Sequence, residues 1–432
     1  MKILFLLTRL DEIGGVQVHV RDLAVWLTGH GHELHVAAGG KQSPAAGSSA
    51  GPGPASAPAR VEARVEAPPA VAPALDQAFS APAVAPALEE ALKAAGVTIH
   101  LLPHLGRAIR PLKDLTALGE IRGLLKEIQP DIVSLHSSKA GWLGRQASGR
   151  GARRRGADRR RRPPVLFTAH GWAFTGGVPK AKARLYRFLE RKAAHLASAV
   201  VCVSEADREL AEAAGIAART EVVAIHNGMP DVPDSLRADK RSSPAGGTRA
   251  SPGTPSDNTA PVTLTMVARF GYQKRQELLL RALAKLEAEA RTAAPWRLQL
   301  IGDGERLAEI RALATELGLG DRVEFLGARD DVPELLAASD LFVLSSRWEG
   351  LPRSIIEAMR AGLPVVASNV GGVAELVADA ETGFLLDPSL EEEEAAKQLA
   401  SILAALIEDP EIRQCLGAAA RREYEDHFTF ER

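Results

Sequence analysis

Short apolar runs alternate along this chain with longer stretches in which apolar residues recur every three or four positions. The first pattern predicts buried strands and the second predicts amphipathic helices. Because the two alternate regularly, we predict an α/β protein whose parallel strands are covered by helices. The predicted strands span residues 2–8, 32–38, 97–102, 132–135, 165–169, 200–203, 222–226, 262–267, 298–301, 323–326 and 384–386.

The helical periodicity lies between these strands. It predicts helices over residues 17–27, 88–95, 115–128, 180–196, 277–286, 307–317 and 333–338. Ser204 stands where an N-cap is expected, directly after a strand. The helix at 180–196 has a basic face, which predicts a solvated surface or, as the alternative, docking on a membrane surface.

Composition divides the chain of 432 residues into two domains, since a domain usually has about 150 residues. Residues 1–230 form the first predicted domain, 231–261 a linker rich in Pro, Ser and Gly, and 262–410 the second domain. Residues 40–86 are mainly Ala, Pro, Gly and Ser, which predicts a disordered insertion. A second insertion, 149–162, carries eight Arg against one Asp. It predicts a mobile charge run, with anionic lipid or nucleic acid as alternative contacts.

The net charge of −1 gives no global attraction to nucleic acid, so no nucleic-acid partner is expected. Cys202 and Cys415 are the only cysteines, which argues against a disulfide framework or a structural zinc site. The first apolar run is too short for a signal peptide, and no run reaches the roughly 18 apolar residues of a membrane span. We therefore expect a cytoplasmic protein, at most peripheral to the inner face of a membrane.

Residues 340–375 are typical of a strand, a loop, a helix, a second strand and the start of another helix. Glu349 follows the first strand, and Glu357 comes eight residues later, in the first turn of the predicted helix. Open α/β sheets bind ligands at the carboxyl ends of their strands, so both carboxylates are expected to face one crevice. The alternative for Glu357 is a capping box with Ser354 as the N-cap, in which each side chain satisfies a backbone N–H group of the other.

The segment EGLPRSIIE, followed by AMRAGLPVVA and GGVAE, resembles the donor-site signature of retaining glycosyltransferases of the GT4 family. The motifs TAHGWAF and HSSKAGWLGR are similar to those of GT4 enzymes that assemble bacterial surface polysaccharides. The resemblance implies the GT-B fold, in which two Rossmann-like domains face each other across a central crevice. It also implies that residues 411–432 form a C-terminal helix that crosses back to the first domain.

The resemblance also implies roles for individual side chains. Glu357 would bind the ribose hydroxyls of a nucleotide-diphosphate sugar, Glu349 would contact the donor sugar, and His170 would lie against the reacting carbon. Arg269 and Lys274, two cations on one strand-to-helix loop, would clamp the diphosphate. Surface ion pairs are the alternative for the two cations, and a structural or exposed side chain is the alternative for His170.

Further donor contacts are predicted on loops rich in glycine. Gly14 and Gly15, between the first strand and the first helix, are expected to lie next to the substrate, with a tight turn as the alternative. Other donor-binding residues are predicted at Gly302, Gly304, Arg329, Gly350 and Leu351. No DxD-like acidic cluster stands out for holding a metal against phosphates. We therefore expect no metal site and no cofactor other than the nucleotide-sugar co-substrate.

The predicted function is transfer of a sugar from this donor to an acceptor hydroxyl with retention of configuration, in the synthesis of cell-surface polysaccharide or glycoconjugate. The acceptor is expected to be a sugar or a lipid-linked sugar. Two alternatives remain open. One is another GT-B enzyme, such as a nucleotide-sugar epimerase or a phosphorylase, and the other is a nucleotide-sugar-binding protein without turnover.

Overall fold

The computed structural model describes residues 1–40, 84–148, 163–238 and 260–432. Most of the predicted insertion 40–86, all of 149–162 and most of the predicted linker 231–261 lie outside the described residues.

The first half of the chain contributes one parallel sheet. Its strands are Lys2–Leu7 (β1), Glu33–Gly39 (β2), Thr98–Leu102 (β3), Ile132–His136 (β4), Val165–Ala169 (β5), Ala199–Cys202 (β6) and Glu221–Ala224 (β7). They are arranged in the order β3-β2-β1-β4-β5-β6-β7, and every neighbouring pair is parallel.

The second half contributes a separate parallel sheet. Its strands are Val262–Val267 (β8), Trp296–Ile301 (β9), Val323–Gly327 (β10), Leu341–Leu344 (β11), Val365–Ser368 (β12) and Gly383–Leu386 (β13). They are arranged in the order β10-β9-β8-β11-β12-β13, again with every neighbouring pair parallel. The predicted α/β class with parallel sheets is confirmed, and each predicted strand is present.

Helices connect the strands on both sides of each sheet. In the first half they are Gly15–Gly29 (α1), Pro86–Ala94 (α2), Pro111–Ile128 (α3), Ser138–Ser148 (α4), Lys180–Ala194 (α5) and Glu205–Ala213 (α6). In the second half they are Gln276–Ala288 (α7), Leu307–Glu316 (α8), Val332–Ala337 (α9), Arg353–Ala361 (α10), Glu392–Glu408 (α11) and Pro410–His427 (α12). The predicted N-cap is confirmed, since the Ser204 hydroxyl accepts a hydrogen bond from the backbone N–H of Asp207.

Two segments differ from their predictions. No helix was predicted for the polar stretch after β4, but it forms helix α4. Its Gly141 and Gly144 let the helix pack closely on the sheet, because a Cβ on either would overlap Phe167 or Leu135. The segment that begins at Gly371 was expected to start a helix, but it forms only the short 3-10 turn Gly371–Glu375.

The strand β1 shows why the first sheet has helices on both faces. Alternate side chains of a strand point to opposite faces. Ile3 and Phe5 pack with residues of α1 and α2, whereas Leu4 and Leu6 pack with residues of α3 and α4. All four side chains are buried, so the strand is apolar on both sides, as expected of a central strand in a parallel sheet.

The two halves are joined by polar contacts. Arg353, the first residue of α10, donates to the carboxylate of Asp22 on α1 at 2.6 Å, and both side chains are buried. Near the C-terminus, the Tyr424 hydroxyl donates to the Met229 carbonyl at 3.0 Å. The ring of Phe430 lies 6.0 Å from that of Trp26 on α1, so the C-terminal segment contacts the first half of the chain.

Within the described parts of the chain, none of the helices combines the length and the apolar character that a membrane span requires.

We predict that Asp22→Asn destabilises the folded protein by about 3–5 kcal/mol, because it removes the only carboxylate that is hydrogen-bonded to the buried Arg353 guanidinium among the described residues. Urea unfolding followed by tryptophan fluorescence measures the effect. The matched control is Glu212→Gln, which removes the carboxylate of an exposed pair with Arg208 on α6. It is expected to change stability by less than about 1 kcal/mol. Equal effects of the two variants would contradict a structural role for the buried pair.

Candidate active site

The carboxyl ends of several strands from both sheets meet at the junction of the two halves. The Lys274 ammonium donates to Glu349 Oε1 at 2.6 Å, and the Glu349 side chain is only 7% exposed. Lys274 follows β8 and Glu349 follows β11, so the pair joins neighbouring loops at one edge of the second sheet. The structure thus brings together two of the residues that the sequence singled out.

The loop that carries Glu349 is fixed by backbone contacts. The side-chain amide of Gln273 donates to the Trp348 carbonyl at 2.7 Å, and the Gly372 N–H donates to the Gly350 carbonyl at 2.8 Å. Gly371 has a φ of +55°, and a Cβ there would overlap the Glu349 carbonyl. The Gly-Gly pair of the motif therefore permits a close approach that holds the Glu349 loop in place.

Gly350 is one of the residues of the second half that contact the first half. Its Cα lies against Gly171, the residue after His170. The ring of Trp348 packs on Gly176 and Gly177 of the loop between β5 and α5, because a Cβ on either glycine would collide with the ring. Leu351, by contrast, is buried in the core of the second half, so its side chain anchors the loop to that core.

Arg269 lies apart from the pair formed by Lys274 and Glu349. Its side chain is 51% exposed and lies 3.4 Å from a carboxylate oxygen of Glu305. The loop that carries Arg269 is positioned by Gly302 and Gly304, both of which have positive φ. A Cβ on these glycines would overlap the carbonyls of Ala268 and Phe270 respectively, so glycine is required for this approach.

Arg329 is engaged in an ion pair with Asp331 on the surface. The structure does not bring its guanidinium into contact with Lys274 or Glu349.

The capping-box alternative for Glu357 is wrong. Helix α10 begins at Arg353 with Pro352 as its N-cap, and no side chain caps it. Ser354 is therefore the second helical residue and Glu357 the fifth, in the second turn, where its side chain cannot reach back to the N-cap N–H. The helix starts earlier than predicted because Pro352 suits the boundary of a helix.

The Glu357 carboxylate is left without a protein partner. Across the residues that the structure describes, it makes no hydrogen bond and no ion pair. Burial raises the pKa of Glu357, while the positive charges of Arg353 and Arg360 act in the opposite direction. A partly buried carboxylate of this kind can accept hydrogen bonds from a ligand.

Gly14 and Gly15 form the start of helix α1. Gly14 is the N-cap with extended backbone, φ −148° and ψ 169°, and neither glycine has positive φ. A tight turn that needs glycine therefore does not explain the pair. A Cβ on Gly15 would lie 3.8 Å from the Arg353 side chain, so this helix N-terminus faces the second half of the chain.

Three histidines surround the carboxyl ends of β4 and β5. His170 Nε2 lies 3.0 Å from His136 Nδ1, and the ring of His19 on α1 is 5.1 Å from that of His170 between centroids. Burial, assisted by the charge of Arg353, lowers the pKa of His170 to about 3. Burial also lowers the pKa values of His19 and His136 well below the usual value, so all three imidazoles are neutral at pH 7. His170 thus belongs to a group of three histidines that packs at the ends of these strands.

Sequence reasoning missed His19 and Asp207. His19 lies on a helix with an ordinary apolar pattern, and Asp207 resembled the first turn of a helix. Asp207 is only 3% exposed and its Oδ2 lies close to Gly350. That oxygen has no hydrogen-bond partner within the described ranges. Burial, together with the negative charge of Glu375, raises the pKa of Asp207 to about 7.

Comparison with known families matches both halves of the chain. The family model described as Glycosyltransferase Family 4 matches residues 13–231, and the model described as Glycosyl transferases group 1 matches residues 252–423.

Several curated proteins are similar in sequence. A UDP-Gal:alpha-D-GlcNAc-diphosphoundecaprenol alpha-1,3-galactosyltransferase from Escherichia coli is 33% identical over 67% of this chain and 71% of its own length. An N-acetyl-alpha-D-glucosaminyl L-malate synthase from Bacillus anthracis is 33% identical, but the match spans 39% of this chain and 42% of that protein.

Solved structures share the fold. An Anabaena HepE protein in complex with UDP and glucose has a TM-score of 0.68 at 22% identity, with 99% of this chain and 96% of that chain covered. A sucrose-phosphate synthase from Thermosynechococcus elongatus has a TM-score of 0.69 at 20% identity, with 100% and 96% covered. At these identities the similarity establishes the two-domain arrangement that the sequence motifs implied.

We predict that Asp207→Asn becomes progressively stabilising relative to the wild type as pH rises from about 4 to about 7. In the unfolded chain the Asp207 carboxyl ionises near its ordinary pKa of 3.8, whereas in the folded protein it keeps its proton to about pH 7. Wild-type stability therefore falls as pH rises through this window, by up to about 1.4 kcal/mol per pH unit, and asparagine removes this loss.

Urea unfolding at several pH values measures the difference in the free energy of unfolding between the variant and the wild type. The buried histidines contribute equally to both proteins, so their effect cancels in this difference. Glu212→Gln, on the same helix but exposed, is expected to show no such slope. A difference between Asp207→Asn and the wild type that does not change with pH would contradict the prediction.

Proposed function

The chain belongs to glycosyltransferase family 4, and from this premise we propose that it transfers a sugar from a nucleotide-diphosphate sugar to an acceptor hydroxyl with retention of configuration. The observation that carries the proposal is the meeting of two loops. The loop that carries Glu349, which is paired with Lys274 of the neighbouring loop, touches through Gly350 the loop of Gly171 that follows His170. A donor bound there has charged groups on one side and a neutral imidazole on the other.

In this proposal Arg269 and Lys274 bind the diphosphate. The exposed guanidinium of Arg269 can turn from Glu305 toward phosphate, since such a surface pair is weak. Lys274 has three N–H donors, so it can keep Glu349 as one partner and still donate to a phosphate oxygen. The two cations and the nearby helix N-terminus at Gly14 and Gly15 supply the positive charge that a departing diphosphate needs. We therefore propose a leaving group stabilised without a metal ion.

The carboxylates bind the sugar and the ribose in this proposal. Glu349 is held in one orientation by Lys274, which leaves its remaining acceptor positions for donor sugar hydroxyls. Glu357 has no partner in the described chain and accepts from the ribose hydroxyls. Gly302, Gly304, Gly350 and Leu351 shape the loops around the donor, and Arg329 stands at the periphery.

His170 is proposed to lie against the reacting centre. Its pKa of about 3 keeps the ring neutral, so it orients substrate as a hydrogen-bonding group and not as a cation. The acceptor proton then passes to the departing phosphate on the same face of the sugar. The acceptor is proposed to be a sugar or a lipid-linked sugar, which the name of the Escherichia coli relative supports. That name and the two free cysteines also support action at the cytoplasmic face of a membrane.

The test of the function is incubation with UDP- and GDP-sugars, with and without lipid-linked acceptors, in the presence of EDTA. We expect nucleotide diphosphate to be released only when acceptor is present. Arg269→Ala is expected to weaken donor binding roughly 10- to 150-fold, because a charge-assisted hydrogen bond is worth about 1.5–3 kcal/mol.

The matched control for this variant is Arg322→Ala. Arg322 has a Glu partner at 3.3 Å and 41% exposure, but it precedes β10 at the opposite edge of the sheet. It is expected to leave donor affinity within about twofold. Donor binding without release would favour the non-catalytic alternative, and equal losses in the two variants would refute the phosphate clamp.

We also propose that α5 docks on an anionic membrane surface. Its exposed face carries Lys180, Lys182, Arg184, Arg187, Arg191 and Lys192, together with the large apolar side chains Leu185 and Phe188. Basic groups attract anionic lipid head groups, and exposed apolar side chains can insert at the interface. The helix begins at the carboxyl edge of the first sheet, so docking would bring lipid-linked acceptor to the crevice.

We predict that the triple change Lys180→Glu, Arg184→Glu and Arg187→Glu weakens binding to vesicles containing phosphatidylglycerol by about 100-fold or more, since each basic residue contributes about 1 kcal/mol. Vesicle sedimentation measures the loss. The control reverses Arg281, Arg322 and Lys397 in the second half and is expected to change binding little. Unchanged sedimentation of the α5 variant would rule out docking through this helix.

A further inference from the structure

Among the described residues, three histidines form a cluster whose ring nitrogens converge. One ring nitrogen from each of His19, His136 and His170 lies within 4.8 Å of the others. The ring centroids are separated by 5.8 Å for His19 and His136, 5.1 Å for His19 and His170, and 5.3 Å for His136 and His170. The three residues come from α1, the end of β4 and the position after β5, so two of them are placed by the sheet and the third by helix α1.

We propose that this cluster, the three-histidine site, binds a divalent transition metal ion of the zinc class. Tetrahedral zinc with bonds of about 2.0–2.1 Å places neighbouring nitrogens about 3.3 Å apart. His136 Nδ1 and His170 Nε2 are already 3.0 Å apart. An ion bound between them replaces the hydrogen bond between these two nitrogens, so both rings turn toward the ion, and the His19 ring moves toward it as well. His19 Nδ1 is buried without a hydrogen-bond partner in the described chain.

The surroundings of His136 favour its role as a ligand. Its Nε2 lies 3.0 Å from the Ser134 hydroxyl. When Nε2–H donates to this hydroxyl, the lone pair of Nδ1 points at His170. A hydrogen bond from the second ring nitrogen is the usual support of a metal-binding histidine, because it fixes the tautomer and the orientation of the ring. Ser134 is therefore a positioning residue of the site.

The type of ligand atom and the nearby charges determine which metal ion the site can bind. Each of the three histidines offers one ring nitrogen as a ligand to the ion. Three neutral nitrogen ligands suit zinc, cobalt or nickel and not magnesium, which requires oxygen ligands. The positive charge of Arg353 lies nearby and opposes a cation, but the Asp22 carboxylate at 2.6 Å offsets it.

Occupancy of the site has a consequence for the proposed reaction. A metal bound through His170 takes the lone pair of the imidazole that is proposed to contact the reacting centre. Zinc-class ions are therefore expected to inhibit transfer, whereas magnesium is not. This consequence rests on the proposed function, but binding of the metal does not.

The experiment measures Zn²⁺ binding to the untagged full-length protein without substrate, by competition with a chromogenic chelator, and the visible spectrum after binding of Co²⁺. We expect one ion per chain and a tetrahedral cobalt spectrum. His19→Ala, His136→Ala and His170→Ala are each expected to weaken binding at least 10-fold. Ser134→Ala keeps all three ligands and is expected to weaken binding roughly 10- to 100-fold.

The matched control is the second histidine pair of the same sheet, His35 and His100, whose ring nitrogens lie 3.0 Å apart. His35→Ala and His100→Ala are expected to leave Zn²⁺ affinity within about twofold. Thermal unfolding without metal identifies any variant that fails to fold. The proposal is overturned if the wild type binds no Zn²⁺ at about 100 μM, or if binding survives in the folded cluster variants, or if it is lost in the control variants.

A separate assay addresses inhibition. Zn²⁺ is expected to inhibit nucleotide release by the wild type, with at least 10-fold lower sensitivity in His19→Ala. If no donor is turned over but Zn²⁺ binds as described, the proposed function fails and the three-histidine site stands. If transfer occurs and Zn²⁺ neither binds nor inhibits, only the site is rejected.

Discussion

The buried ion pair between Arg353 and Asp22 is the contact on which the arrangement of the candidate site depends. It joins the first residue of α10 to the middle of α1, and so fixes one half of the chain against the other. Burial lowers the pKa of His170, and the same guanidinium lowers it further. Burial raises the pKa of Glu357, and the guanidinium opposes that rise. The charge of Arg353 thus acts on the neutral His170 imidazole of the first half and on the Glu357 carboxylate of the second half. Moving it would change the packing and the protonation of the site together.

Glycines determine how closely the loops of the two halves approach. Gly371 admits the Glu349 carbonyl, and Gly350 admits the loop of Gly171. Gly302 and Gly304 do the same for the loop that carries Arg269. At Gly371, Gly302 and Gly304 the obstacle to a side chain is backbone, which cannot be moved as a flexible side chain can, whereas at Gly350 it is the Asp207 carboxylate together with the backbone of Gly171. These glycines are therefore required for the packing of the loops, in addition to the charged groups that the loops carry.

The periodicity of apolar residues in the sequence was sufficient to predict the strands and most of the helices between them. Each predicted strand is present, and helices occupy the spaces between them, because apolar periodicity follows directly from burial. It did not predict α4, because the role of Gly141 and Gly144 becomes clear only from the Phe167 and Leu135 side chains that pack against them. It also failed at the capping box, since a helix boundary two residues earlier changes the role of Glu357. His19 and Asp207 could not be found, because only the tertiary structure places them near His170 and Gly350.

The two halves differ in the kind of chemistry that they offer to a ligand. The second half presents fixed charges in Arg269, Lys274 and Glu349, which suit a diphosphate and its sugar. The first half presents neutral imidazoles, because burial makes their protonation costly. In the proposed function, neutral rings do not attract phosphate, so the anion is expected on the side of the second half. The same neutrality leaves lone pairs available, so the feature that suits His170 to a reacting sugar also suits the cluster to a soft cation. A magnesium ion, which prefers oxygen, has no comparable affinity for the histidine side. The preference of the first half for a zinc-class ion over phosphate or magnesium therefore follows from the burial of the histidines at the ends of β4 and β5.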